Sequence, residues 1–597
     1  MDQEPRRATI ADVARAAGVS KAAVSFAFNA PARLRAETVN RIRAIAAALD
    51  YHADPVARLL AQRRAPTETP VLAPDPGSPG DAPAWVRDAV FYQIFPDRFA
   101  MSRRVPKPGT LEPWSSAPTA RGFKGGDLLG VVEHLDYLVD LGVTALYFNP
   151  LFQSASNHRY HTYDYYEVDP LLGGTAALRE LLDAAHRRGL RVVLDGVFNH
   201  VGRGFWPFHH VLETGRASPY RGWFYFDDEA LDADRPIRAY PPTDTSGAVA
   251  VGGDGPSGIG SLRAYGYRAW WDLPALPKLN VDNPEVREYL FGVAEHWIRF
   301  GADGWRLDVA LEIADPTFWQ EFRRRVRAVR PDAYIVAEVW HEDPSHLLGD
   351  QFDAYMNYPL AASITSFAAG PYLDRRVLAQ HISLETTIYP IDGAEFARRV
   401  EHGISIYGPP VANVQLNLVD SHDTPRFLAM TSGDKAALRL AILLQMTLPG
   451  APSIYYGDEI GMTGEQDPAC RASFPWHDRD AWDHDLRAFT KGAIAARHAN
   501  PALRGGPYRT IGAWDSAMSY ARGDLDDGPG APMVVAVNAG DRAFPLEVDL
   551  TSLPGRRLVP VSWPGMPDPP AGGVSIEAGR ATIVIPPRSG YLFRAER

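Results

Sequence analysis

Eight times between residues 90 and 456 a short β-prone run is followed by chain able to form an amphipathic helix, and no other feature constrains the fold as strongly. The runs are 90–95, 143–148, 191–198, 303–309, 334–339, 352–356, 414–419 and 453–456. Parallel neighbours need a crossover between them, so eight β/α units predict a closed (β/α)8 barrel. Helical periodicity over 127–141, 175–188 and 435–448 supplies part of the outer ring. The Gly-, Pro- and aromatic-rich stretch 201–277 reads as an inserted domain after the third strand, overhanging the barrel mouth. The expected catalytic domain spans 84–502. Alternating runs such as 533–538 and 581–586 predict a C-terminal β-sandwich over 503–597.

Barrels carry their chemistry at the carboxyl ends of the strands. There the third run ends in Asp195 with Asn199 and His200, the fourth in Arg306 and Asp308, the fifth in Glu338, and the seventh in His422 and Asp423. Such a carboxylate cluster serves either a metal ion or acid/base and nucleophilic work on sugars. Arg306 and Asp308 are two residues apart on one strand and share a face, so the guanidinium is expected to hold that carboxyl ionised. Glu338 lies between Val336-Ala337 and Val339-Trp340, an apolar frame expected to raise its pKa toward general-acid use. The single cysteine, Cys470, excludes an internal disulfide and a multi-cysteine zinc site, and reads as a passive loop residue.

The two ends of the chain differ in charge. Residues 1–64 hold 11 Lys/Arg against 6 Asp/Glu, a net +5 in a protein whose formal charge is −11. A basic head on an acidic body implies different partners for the two parts. In the head, Thr9 opens an apolar periodicity that stops at Gly18, Ser20 can cap a second helix, and 36–49 is strongly amphipathic. Three short helices with a tight Gly turn suit reading of a major groove. Residues 63–83, rich in Pro, form an extended linker. With no charged leader and no apolar stretch long enough for a membrane span, a cytoplasmic location without membrane contact is expected.

The string from Thr9 to Ser20, continued by Ala23-Val24-Ser25 and Phe28-Asn29, closely resembles the headpiece of LacI-family repressors. The resemblance implies a helix-turn-helix domain over 7–62 that binds double-stranded DNA through Ser20, Lys21, Ala22, Ser25 and Phe26, with Leu60 wedged into a minor groove. The barrel segment is similar to the α-amylase superfamily. Its four signature regions are matched by Asp195-Gly-Val-Phe-Asn-His200, Gly304-Trp-Arg-Leu-Asp-Val-Ala310, Ala337-Glu-Val-Trp-His341 and Asp420-Ser-His-Asp-Thr424. Leu276-Pro-Lys-Leu-Asn280 resembles the further motif of the neopullulanase, cyclomaltodextrinase and maltogenic amylase group.

By this resemblance Asp308 is the nucleophile, Glu338 the acid/base and Asp423 the carboxylate that holds the distorted sugar. His158, Tyr160, His200, Arg306 and His422 line the same subsite, and Trp340 faces the leaving group. The implied activity is retaining hydrolysis of α-1,4, and in some members α-1,6, bonds of maltooligosaccharides, cyclodextrins or related α-glucans. No metal or organic cofactor is required; the calcium-binding run that often follows the first strand is replaced by Ala100-Met-Ser-Arg-Arg104. Leu311 stands where the group has Asn. The group's N-terminal β-sandwich, which roofs a partner's site, gives way to the DNA-binding head, and a homodimer is expected through the barrel. Two other functions fit the same residues: a LacI-type regulator whose barrel senses an α-glucan, and an α-glucosyl transferase or isomerase.

Overall fold

The computed structural model describes residues 16–17, 19, 36–48 and 81–596, apart from 234, 236, 242–258, 382, 524–530, 552–554 and 556. The chain divides into two compact units, Met1–Asp75 and Pro76–Arg597. In the first, helix α1 (Ala36–Ala48) buries Val39, Ile42 and Ala46, the i, i+3, i+7 stripe read from the sequence. Ser20, Lys21, Ala22, Ser25, Phe26 and Leu60 lie outside the described residues.

In the second unit eight parallel strands form the barrel: β1 (Phe91–Ile94), β2 (Ala145–Phe148), β3 (Arg191–Gly196), β4 (Gly304–Leu307), β5 (Tyr334–Ala337), β6 (Ala354–Tyr355), β7 (Leu416–Asn417) and β8 (Ala451–Tyr455). Neighbours pair in the order β6-β5-β4-β3-β2-β1-β8-β7, and a parallel bridge between Met356 and Leu416 closes the ring. Alternation along each strand sorts the side chains. Phe91, Tyr147, Val193, Tyr334, Val336 and Leu416 fill the barrel interior, whereas Tyr92, Leu146, Leu194, Trp305 and Ile335 face the helices. At the start of β4 a Cβ on Gly304 would lie 2.2 Å from the Tyr334 carbonyl oxygen, so only glycine lets β4 and β5 approach in this register.

The outer ring includes α2 (Gly174–Arg187), α3 (Pro284–Phe300), α4 (Pro316–Val329) and α5 (Lys435–Thr447). Asn283, Asp315 and Asp434 each cap a helix by accepting from a backbone N–H of its first turn. The single helix expected over 127–141 is two, Leu128–Glu133 and Leu135–Leu141. His134 breaks it with φ −117° and ψ 10°, its ring 3.9 Å from that of Trp476. A hairpin, Phe152–Ser154 with Thr162–Val168, follows β2 and carries His158 and Tyr160 at its tip. Sequence periodicity did not reveal it because the paired strands are short and bulged.

The insertion after β3 is zipped at its base, where Val201 N–H donates to Pro277 O and Leu279 N–H to Asn199 O. After β6 the chain adds helices Tyr358–Ala369 and Gly393–Tyr407 before returning to β7. The C-terminal strands are β9 (Tyr508–Trp514), β10 (Ala517–Arg522), β11 (Met533–Asn538), β12 (Phe544–Asp549), β13 (Arg557–Val561), β14 (Val574–Ser575), β15 (Arg580–Ile585) and β16 (Ser589–Glu596). Six form one sheet in the order β9-β10-β11-β16-β13-β14, and β12–β15 covers it across a core that includes Val534, Ile583 and Phe593. Among the described residues no helix is long and apolar enough to cross a membrane.

Candidate active site

Register brings the polar strand ends together. Asp195 on β3 is level with Arg306 on β4, and Arg306 with Val336 on β5, so Asp195, Arg306, Asp308 and Glu338 all point into the mouth. Arg306 is fully buried and serves three carboxylates. Its Nη1 lies 3.0 Å from Asp195 Oδ1 and 3.1 Å from Asp308 Oδ1, and its Nη2 lies 2.9 Å from Glu338 Oε2. The last contact is an ion pair without hydrogen-bond alignment, because Nη2 has no directed acceptor. Glu338 Oε2 also accepts from Val309 N–H at 2.9 Å, and Oε1 from the Trp340 indole N–H at 2.9 Å.

This arrangement corrects the electrostatic split expected from sequence. Arg306 is not Asp308's alone, since it neutralises Glu338 as well. Burial pushes the Asp308 carboxyl well above the usual range and the Glu338 charge adds to that, with Arg306 pulling the other way. Asp195 is raised by burial to about 6 against the same opposing arginine. Asp308 Oδ2 is buried without a hydrogen-bond partner.

A second cluster meets the first through Tyr160. Its hydroxyl donates to Asp195 Oδ2 at 2.8 Å and lies 2.6 Å from His422 Nε2, while its ring stacks on His422 at 5.5 Å and 4°. Gln93 Nε2 donates to His422 Nδ1 at 2.8 Å, which leaves the imidazole proton on Nε2, 3.0 Å from Asp423 Oδ2. Burial holds His422 well below its usual pKa, so the ring is neutral. Asp423 is fixed from its other side by Arg471, whose Nη2 is 3.1 Å from Oδ1 and whose Nε donates to His422 O at 2.8 Å. His158 stacks on Tyr160 and accepts from its N–H at 3.2 Å, and burial depresses its pKa too.

His200, lowered by burial to about 3, lies parallel to Trp270 at 4.9 Å, its Nε2 buried without a hydrogen-bond partner. Trp340 packs 3.7 Å from Tyr358 and 5.1 Å from His381. All nine barrel residues expected from sequence thus surround one mouth. From the sequence Asp195 is evident only as a strand end, and Gln93, Tyr147, Tyr358 and Arg471 do not stand out. Gln93 and Tyr147 point inward by strand parity, a signal that was available. Arg471 lies 48 positions from Asp423 in an irregular loop and gave none.

A calcium ion does not fit the segment after β1. The buried Asp127 carboxylate there already holds Ser102 N–H at 2.9 Å, Gly130 N–H at 2.7 Å and the Lys107 ammonium at 2.8 Å. Lys107 places a positive charge on this carboxylate, and a divalent ion beside that ammonium would meet direct repulsion.

The family model "Alpha amylase, catalytic domain" matches residues 93–520. The chain belongs to the α-amylase family. A second model, "Bacterial regulatory proteins, lacI family", matches residues 9–54, so a helix-turn-helix head is joined to an α-amylase-family hydrolase. A cyclomaltodextrinase from Bacillus sp is 43% identical over 451 residues, covering 74% of this chain and 72% of that protein. Neopullulanase 2 from Thermoactinomyces vulgaris is 41% identical over 441 residues, covering 74% and 67%. The crystal structure of Ttha1563 from Thermus thermophilus superposes with a TM-score of 0.75 at 45% identity, covering 86% of this chain and all of that one. For this α-amylase-family barrel the matched segment contains every carboxylate of the site.

Proposed function

We propose that the protein is a retaining α-glycosidase that cleaves α-1,4 bonds of maltooligosaccharides and cyclodextrins, with Asp308 as nucleophile, Glu338 as acid/base and Asp423 as the residue that binds the distorted sugar. The observation that carries this is the single guanidinium of Arg306 touching both Asp308 and Glu338. Two carboxyls on one guanidinium are compatible with double displacement, which needs about 5 Å between them, and the α-amylase-family match supports the retaining course.

In the first step Asp308, as carboxylate, attacks the anomeric carbon, forming a glycosyl ester. The bond to the leaving-group oxygen breaks as Glu338 gives that oxygen its proton. In the second step Glu338 takes a proton from water, the hydroxide attacks the same carbon, and the ester bond returns to Asp308 as carboxylate. Neutral His200 and His422 hydrogen-bond sugar hydroxyls without adding charge, Arg306 offsets the carboxylates, and Tyr160 and His158 offer flat faces to the ring. The cyclomaltodextrinase and neopullulanase names of the relatives support the substrate class.

The domain boundaries that go with this reading are 7–62, 63–83, 84–502 and 503–597. The head binds double-stranded DNA through the residues around Lys21, the chain acts in the cytoplasm, and a homodimer brings two heads to paired half-sites. The deciding experiment is product analysis on maltotriose, β-cyclodextrin and pullulan, with the anomer followed by NMR. Release of α-anomeric products from maltotriose or β-cyclodextrin is expected. Initial release of the β-anomer, or formation of transfer or isomerisation products without net hydrolysis, refutes the assignment.

A further inference from the structure

The segment 420–426 carries His422 and Asp423, and one residue outside it meets both of its ends. Asp458 stands in the 3₁₀ turn Asp458–Ile460 that follows β8. Its Oδ1 accepts from Arg426 Nη1 at 2.9 Å, and its carboxyl meets that of Asp420. Between those ends the chain folds back on itself: Ser421 N–H donates to Thr424 Oγ1 at 2.9 Å, and Asp423 N–H to Ser421 Oγ at 3.2 Å. Asp458 therefore closes a loop whose middle bears two residues of the cleft.

The charges of this clasp balance only with a proton. Asp420, Arg426 and Asp458 are each no more than 5% exposed, so two buried carboxyls meet one buried guanidinium. Asp420 Oδ2 accepts from Phe427 N–H at 2.5 Å and Asp458 Oδ1 from Arg426, whereas Asp420 Oδ1 and Asp458 Oδ2 have no N–H or hydroxyl donor. One proton on Asp458 Oδ2, donated to Asp420 Oδ1, satisfies both oxygens and leaves the cluster neutral. Two bare carboxylates at this depth would repel each other and leave one buried charge uncompensated. Burial pushes Asp458 well above the usual carboxyl range, the Asp420 charge adds to that, and Arg426 pulls the other way; Asp420 is raised by burial as well.

Among the described residues the surroundings supply no second cation. Glu459 accepts from the Tyr92 and Tyr137 hydroxyls and from Gly457 N–H. Tyr455 and Tyr456 lay their rings on Arg426, and Cys470, a thiol raised by burial to about 12 and so neutral, gives Arg426 Nε its carbonyl oxygen at 3.0 Å. Arg471 is engaged by Asp423 and Asp467, and Asp483, whose N–H donates to Ile460 O, pairs with Lys435.

We propose that Asp420 and Asp458 share one proton, and that this proton-linked pair is the positioning device for His422 and Asp423. Its catalytic consequence rests on the hydrolase reading above, whereas its pH dependence does not. The folded protein keeps this proton above pH ~4, where unfolded carboxyls lose theirs, so the pair stabilises most at low pH and its contribution is lost as pH rises through the folded pKa.

Asparagine at either position keeps the bond without the titration. In Asp458→Asn the amide N–H replaces the acid as donor to Asp420 while its oxygen still accepts from Arg426; in Asp420→Asn the amide donates the other way, to an ionised Asp458. Melting temperatures of the parent and both variants are read from pH 5.5 to 8.5. One retained proton should make the parent lose about 1 °C per pH unit relative to either variant, about 3 °C over this range. On maltotriose at pH 6.0 both asparagine variants should keep kcat/KM within twofold. Asp458→Ala frees both ends of the segment and should lower kcat at least tenfold with KM changed less than threefold, because Asp423 grips the sugar most strongly once it is distorted. Asp420→Ala frees one end and leaves Asp458 and Arg426 as a neutral pair, so it should fold even where Asp458→Ala does not, and should lose kcat at least threefold. Melting curves that run parallel, within 1 °C over the range, overturn the shared proton. Alanine variants as active as the parent, or impaired only in KM, overturn the positioning role. A parent that cleaves no α-glucan overturns the hydrolase reading instead, and the melting curves still decide whether the proton is shared.

Discussion

Arg306→Met removes one fully buried cation from three carboxylates and preserves most of the side-chain volume. Breaking a buried ion pair by deleting one partner costs about 3–5 kcal/mol, because the charge left behind stays desolvated. The unit that unfolds has about 520 residues, so its unfolding entropy is about 1.1 kcal/mol/K and the melting temperature should fall by about 3–5 °C. The loss must depend on pH in a stated direction. In the parent, the folded-state pKa values of Asp195 (about 6) and Asp308 are raised. The native state therefore binds more protons than the unfolded chain above pH ~4, and these groups lower stability as pH rises through that window. Without Arg306 their folded pKa values rise further, so the variant's deficit is largest at pH 7.5 and shrinks toward pH 5 as the carboxyls take up protons. Calorimetric scans of parent and variant at pH 5.0 and 7.5 measure this. A deficit that is equal at both values, or larger at pH 5.0, refutes the account of Arg306 as the counter-charge of the site.

Asp308→Asn should reduce turnover by at least 10⁴-fold, about 5.5 kcal/mol of lost transition-state stabilisation, because an amide cannot form the glycosyl ester; near-parental rates remove Asp308 from the nucleophile role. Glu338→Gln should cripple maltotriose hydrolysis yet keep a fast first step on α-maltosyl fluoride, seen as a fluoride burst, and equal loss on both substrates removes the acid role. Chelation with EDTA should leave the melting temperature unchanged, and Lys107→Met should lower stability by about 2 kcal/mol by stripping Asp127 of its charged partner; a Ca²⁺-dependent gain of several degrees in the parent contradicts this. The full chain should shift a pseudo-palindromic DNA as a dimer with affinity falling steeply with salt, while a fragment ending near residue 64 binds far more weakly; a monomer with only non-specific affinity by light scattering and gel shift defeats the DNA-binding part.

What the sequence disclosed divides along a physical line. Strand parity is local: two residues on one strand point the same way whatever surrounds them, so Arg306 beside Asp308 was legible from spacing alone, as was the barrel from eight repeats of one unit. Burial and partner choice are not local. Arg306 does not keep the Asp308 carboxyl low, because burial raises it and because β3 and β5 bring Asp195 and Glu338 to the same guanidinium across 111 and 32 residues of chain. Arg471 escaped for the same reason, as did the hairpin that carries His158 and Tyr160, whose bulged pairing erases the alternation that marks a strand. The consequence reaches the chemistry. In this cleft one arginine is shared by Asp195, Asp308 and Glu338, so a change at any of the three shifts the charge felt by the other two. Single substitutions here will be non-additive, and a double-mutant cycle between Asp195→Asn and Glu338→Gln should return a coupling energy of about 0.5–3 kcal/mol in stability. Additivity within about 0.3 kcal/mol would mean that the two carboxylates do not compete for Arg306.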